Sequence, residues 1–198
     1  MADDVVVNMV AGYTLVDTLA GAQIDLFALG NLKYLLELNT TVLCGTSAER
    51  RAEYTRHRTT TEQRFYEDTQ GGIRDVVEWY RRNDRASAWM LAAGLYIRIL
   101  SKPQLFIEGN HRTGALVMSY VLIGHGEPPF VLTPANAVAY FDPSTTIRDT
   151  RRRGVTALVR VPRATRRLAA FLAAQADRRY LRAEGTIARP EPDAAEKV

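Results

Sequence analysis

The sequence predicts an all-α protein, and two observations carry that reading. Apolar residues recur at three- and four-residue spacing, as in Ile24, Phe27, Ala28, Leu32, Leu35 and Leu36, which places them on one face of a helix. Helix-start signals also recur: a Ser, Thr or Asp stands ahead of one periodic stretch after another.

The elements follow in chain order. Helices are predicted over 13–20 and 22–39, with Gly21 and Gly30 marking a break or an end. Thr46-Ser47-Ala48-Glu49 has the spacing of a capping box that opens a charged helix, and Thr59-Thr60-Thr61-Glu62 offers a second. Between them, residues 56–61 carry β-branched threonines that suit a short extended piece. Gly71-Gly72 breaks the next helix, which resumes from Ile73 to Arg82. Asp84 is placed to cap the apolar helix over 86–100 that holds Trp89, Leu91 and Leu95. A further helix starts at Asn110, runs through Leu116 to Ile123 and is ended by Pro128-Pro129. Thr133 as N-cap and Pro134 at the first position open a short helix through Tyr140. Asp142-Pro143-Ser144-Thr145 is a turn signal, and a last helix spans 162–181. Residues after Gly185 are rich in Pro, Glu and Ala and read as a mobile tail.

Length and composition bound the function classes. A chain of 198 residues is one domain with small additions, and 46% hydrophobic residues suffice for a core. The organisation reads as N-terminal helices over 1–45 packed on a main domain over 46–184, with a tail over 185–198. A single cysteine, Cys44, excludes an internal disulfide and reads as a small buried apolar residue. The acidic start, Met1-Ala2-Asp3-Asp4, lacks the basic region of a secretory signal, and no apolar run reaches the roughly 18 residues needed to span a membrane. The expectation is therefore a cytoplasmic protein without a membrane segment. The net charge is +4, and the basic residues are nearly all arginine, the lysines being Lys33, Lys102 and Lys197. With abundant Ala, that usage points to a high-GC bacterial coding sequence. Arginines cluster at Arg151-Arg152-Arg153, Arg160, Arg163, Arg166-Arg167 and Arg178-Arg179. No aromatic stacking pattern or groove-reading motif accompanies them, so they read as a solvated helix face rather than a nucleic-acid surface.

The stretch Phe106-Ile107-Glu108-Gly109-Asn110-His111-Arg112-Thr113-Gly114 carries the chemistry. The start of a helix offers unpaired N–H groups and a positive partial charge, both of which attract anions. Gly109 allows close backbone approach, Arg112 supplies a planar charged fork for phosphate oxygens, and Glu108 is an oxygen ligand suited to a divalent metal. Taken singly, the same residues have plainer roles. Glu108 or Asn110 is then a helix cap, Arg112 a surface ion-pair partner of Glu108, His111 an exposed loop residue and Phe106 a core anchor. His57 and His125 have no Cys or carboxylate at metal spacing and are given no metal.

This stretch resembles the signature of the Fic family, H-P-F-x-[DE]-G-N-G-R-x-x-R, at Phe106, Glu108, Gly109, Asn110 and Arg112. The flanking apolar helices and Gly126-Glu127-Pro128-Pro129-Phe130 extend the likeness over about residues 50 to 170. The resemblance implies a Fic-like helical domain with a short β-hairpin flap at residues 56–61. It also implies transfer of the AMP part of ATP, or of a related phosphate-containing group from another nucleotide, onto an acceptor. Magnesium would sit at Glu108, and Gly109, Asn110, Arg112, Thr113 and Gly114 would form the nucleotide side. Trp79 or Tyr80 would either stack on a base or serve as packing.

The departures are equally specific. Gln104 stands where the family has its catalytic His, and an amide has no usable basicity near neutral pH. Leu105, His111 and Ala115 replace the family's Pro, second Gly and second Arg. Three readings stay open: transfer to an acceptor that needs no base, with Gln104 orienting it; acid/base work taken over by His111; and a nucleotide-binding regulator or toxin-type interaction protein without catalysis. The acceptor, protein or small molecule, is not read from the sequence, and a homodimer stays open. The family's inhibitory pattern [ST]-x-x-x-E-[GN] has no match, since the nearest candidate, Glu184-Gly185, has Tyr180 in the Ser/Thr position.

Overall fold

A computed structural model describes residues 2–67, 72–148 and 155–181. Among the described residues every regular element is helical: α1 (Ala2–Gly21), α2 (Lys33–Cys44), α3 (Ala48–Glu53), α4 (Thr55–Glu67), α5 (Ile73–Arg82), α6 (Ala88–Leu100), α7 (Asn110–Gly124), α8 (Pro134–Arg148) and α9 (Val155–Ala174), with short 3-10 turns at Leu29–Asn31 and Arg178–Tyr180. The all-α expectation holds.

The architecture is organised around α6. Ten of its residues are buried, including Leu91 through Ile97 without interruption, so it is apolar on every side and has to be enclosed. Helices α7 and α9 cover it most extensively, and α5 and α8 cover its remaining faces. Helix α1 lies over α2 and α7 with a buried stripe at Asn8, Gly12, Val16, Leu19 and Ala20. Two close approaches depend on glycine. A Cβ at Gly12 would stand 2.5 Å from Leu116 Cδ1, and one at Gly94 only 2.0 Å from the Trp79 ring, over which Arg98 lies 4.6 Å from the ring centroid. Tyr80 stacks on Phe27 with ring centroids 4.2 Å apart. Packing is therefore the role of both aromatics in this structure.

Several local expectations are corrected. The helix predicted over 22–39 is a turn and a short 3-10 segment, followed by α2; Asp25 Oδ1 accepts from the Phe27 amide, and this local bond favours the turn. Helix α1 reaches far beyond the predicted 13–20, to Ala2, across exposed valines at 5–7 and 10 that give no amphipathic signal. The caps shift by one to three residues. Ser47 rather than Thr46 opens α3, accepting from the Arg50 amide, and Ser87 rather than Asp84 opens α6, accepting from the Met90 amide. The flap is absent: residues 56–61 lie inside α4, as does the second predicted capping box at Thr59. The hydroxyls of Thr59 and Thr60 donate back to the carbonyls of Thr55 and Arg56, so these two threonines satisfy themselves within the helix, and no neighbouring strand is present among the described residues to favour extension. Gly126, not the proline pair, terminates α7. With φ of 73°, it lets Glu127 N–H reach Leu122 O and its own N–H reach Ile123 O, the paired bonds of a Schellman motif. The Asp142-Pro143 turn lies within α8, whose start at Thr133-Pro134 is as expected. The last helix is α9, ending at Ala174, earlier than expected. Arg151-Arg152-Arg153 and the tail over 185–198 lie outside the described residues. Among the described residues no helix is long and apolar enough to cross a membrane.

Two measurements test this packing. Gly94→Ala should lower stability by about 1–2 kcal/mol in urea denaturation, because the clash with Trp79 outweighs the gain in helix propensity. Tyr120 donates its hydroxyl to Ile24 O, and burial, reinforced by the charge of Asp25, pushes its phenol from 10.0 up to about 12. A raised folded-state value means the contribution is complete below pH 10 and is lost as pH rises through 12. The urea midpoint of the wild type should fall across that window, and Tyr120→Phe should flatten the fall.

Candidate functional site

The connection between α6 and α7 is an arch held by one side chain. Asn110, 5% exposed, accepts from the Phe106 amide through Oδ1 at 2.9 Å and donates to the Phe106 carbonyl through Nδ2 at 2.8 Å. That bidentate clasp folds the arch over itself and makes Asn110 the first residue of α7 rather than its cap. The cap position belongs to Gly109, at φ 74° and with no side-chain oxygen bonded to the helix amides. Only glycine takes this backbone without strain, and a Cβ there would lie 2.9 Å from Asn39 Nδ2. The first amides of α7 are therefore left without an intrahelical acceptor or a side-chain cap, in a left-handed-to-helical sequence of the kind that forms anion-binding hollows.

The arch is fastened from three sides. Leu105 N–H donates to Ile99 O at the end of α6. Asn39 on α2 donates to Glu108 O at 2.9 Å and to Thr113 Oγ1 at 3.0 Å, tying both ends of the turn to one amide. Arg64 on α4 donates to Gln104 O at 2.9 Å, and Phe65 stacks on Phe106 at 5.7 Å. Phe106 is fully buried, so its role as a core anchor holds.

The expected site residues are placed as follows. Gln104 Oε1 lies 3.4 Å from Asn110 Nδ2 and so supports the clasp. Glu108 points into solvent, and the structure shows no ion pair between it and Arg112. Arg112 Nη1 donates to Val42 O in the last turn of α2. Asn8 donates to Leu43 O and Arg51 to Gly45 O, so the carbonyls that close α2 are satisfied by side chains from three other elements. A guanidinium is well suited to that negative helix end. His111 is half-buried on the first turn of α7, its Nδ1 3.0 Å from the hydroxyl of fully buried Tyr96. Thr113 is buried against Asn39, and Gly114 is needed for packing, since a Cβ there would meet the Tyr96 ring at 2.8 Å. The clasp thus brings together Gln104, Gly109 and Asn110. Arg112 is anchored on α2 instead, and Thr113 and Gly114 face the core. Cys44 is 1% exposed and burial pushes its thiol up, as expected of a packing residue.

Sequence reasoning missed Asn39, Arg64 and Tyr96. Asn39 is a polar residue on a buried stretch of α2, and that mismatch was the available signal. Among the described residues no three His, Cys, Asp or Glu side chains gather to hold a metal. Glu108 alone fits a magnesium ion only where phosphate oxygens and water supply the other ligands. No family model, no curated protein and no solved structure matches the chain.

The clasp has a direct test. Asn110→Ala leaves the buried Phe106 N–H and C=O without partners and should cost about 2–4 kcal/mol. Asn110→Asp keeps the acceptor, loses the donor and should fall between wild type and Asn110→Ala in urea denaturation.

Proposed function

We propose that the chain is a Fic-like domain that binds a nucleotide or another phosphorylated small molecule at the start of α7. One observation carries the reading: α7 opens at a left-handed glycine with no side-chain cap, and its first turn carries Arg112, whose guanidinium is anchored on Val42 O. Arg112 uses one N–H on Val42 O, and a guanidinium has five, so its remaining donors are available to phosphate oxygens. The residues shared with the Fic signature are the ones that build this arch, Phe106, Gly109 and Asn110 among them. Magnesium would arrive with the phosphates and be met by Glu108 from the solvent side.

The chemistry that goes with binding is narrower than in the family. Gln104 carries no proton acceptor of useful strength, and its amide oxygen sits beside Asn110. Transfer of an AMP-like group would therefore need an acceptor that is already nucleophilic, such as a carboxylate or a free amine. A second reading is favoured by the Tyr96–His111 contact, which fixes an imidazole on the first turn of α7 and makes His111 the candidate acid/base group. The alternative is a regulator that binds nucleotide without turnover.

Calorimetric titration with magnesium-ADP decides the first point. Saturable binding is expected, weakened about tenfold or more by Arg112→Ala. Unchanged affinity in Arg112→Ala would remove the phosphate seat. Glu108→Ala should abolish the magnesium dependence of binding while leaving inorganic phosphate affinity intact. Mass spectrometry after incubation with labelled ATP and candidate acceptors separates transferase from regulator.

A further inference from the structure

The stretch expected to form a flap lines a cleft instead. The face of α4 bearing His57, Arg58, Thr61 and Glu62, with Tyr54 just before it, stands opposite the α2 face that carries Lys33, Glu37, Thr40 and Cys44. Between them lies a cavity of about 170 Å³. A more open hollow of about 430 Å³ adjoins it, sharing Tyr54 and His57 and bounded by Ile107 of the arch. Residues 57 and 61 are one helical turn apart, so their side chains lie side by side on the cavity wall.

Two polar atoms on that wall are buried and unpaired. Thr61 is 3% exposed, and its Oγ1 has no hydrogen-bond partner; His57 Nε2 is likewise buried without one. A buried hydroxyl or imidazole nitrogen without a partner costs free energy, so a pair of them on residues that line one cavity marks a place where a small turn of either side chain lets something else complete the bonds. Both atoms can donate. The charges around them narrow the class. Glu37 is matched by Arg51 at 2.6 Å, which leaves Lys33 and Arg58 against Glu62 and a balance toward the positive. The geometry points to a binding site for a small carboxylate, of the hydroxy-acid or amino-acid class, with its carboxylate on His57 Nε2 and Thr61 Oγ1 and the cations of Lys33 and Arg58 at the rim. A zwitterionic amino acid would also place its ammonium near Glu62. The cleft is separate from the phosphate seat on α7, although Asn39 borders the cavity and also holds the arch.

The chain has three histidines, so the ring protons of His57 can be followed by NMR in the full-length protein against His111 and His125. Titration with acetate, lactate and glycine across the millimolar range should move the His57 signals saturably, while methylamine should not. Thr61→Val should weaken the response about tenfold, as loss of one hydrogen bond to a charged group does, with thermal stability unchanged or raised because an unpaired hydroxyl is removed. Arg58→Ala, an exposed change, should weaken it without affecting the fold. Arg112→Ala should leave it intact, which separates this site from the nucleotide seat. No movement of His57 with any carboxylate would mean that the cavity holds water only and would overturn the assignment. An equal response to methylamine, or loss of the response in Arg112→Ala, would overturn it as well.

Discussion

Helix α6 is apolar on every side, and that one constraint arranges the rest of the molecule. A helix with no polar face has to be enclosed completely, and here α5, α7, α8 and α9 do so. The chain leaves α6 at Ser101 and enters α7 at Asn110, both buried, so the arch between them is pinned at both ends. Its shape is set by polar bonds as well as by the buried Leu105 and Phe106: the Asn110 clasp inside it, and Asn39 and Arg64 from outside. Because the clasp is buried, each of its bonds is worth more than a surface bond, and each lost partner leaves a backbone group stranded.

The same arrangement explains why the signature residues have two meanings at once. Gly109 is required for the backbone to turn into α7 against Asn39, and that turn is also what leaves the helix amides uncapped. Arg112, on the first turn of α7, reaches back to the end of α2 through Val42 O. A structural role and the proposed ligand-binding role can coincide in one residue because helix ends of opposite polarity meet here: the positive start of α7 and the negative close of α2.

Much of the fold was legible. The periodic stretches at 73–82 and 110–123 became α5 and α7 nearly residue for residue, because a glycine immediately precedes each one and leaves little choice of start. The failures are also physical. Residues 56–61 read as extended from the β-branching of their threonines, but hydroxyls that bond to the preceding turn remove that preference. The valines of α1 are exposed and carry no periodic signal, so its first half was invisible. Within the site, the arch and its Asn110 were visible as a motif. The partners Asn39, Arg64 and Tyr96, far away in sequence, were not, because nothing local marks a residue whose bond closes across the fold. The anchoring of Arg112 on a backbone carbonyl was unreadable for the same reason, since a carbonyl is common to every residue.

Helix α4 is polar along most of its length, yet its final turns are fastened by Arg64 to Gln104 and by Phe65 to Phe106, while its earlier turns border open space. Helix α4 thus lines the cleft with its first turns and holds the arch ahead of α7 with its last.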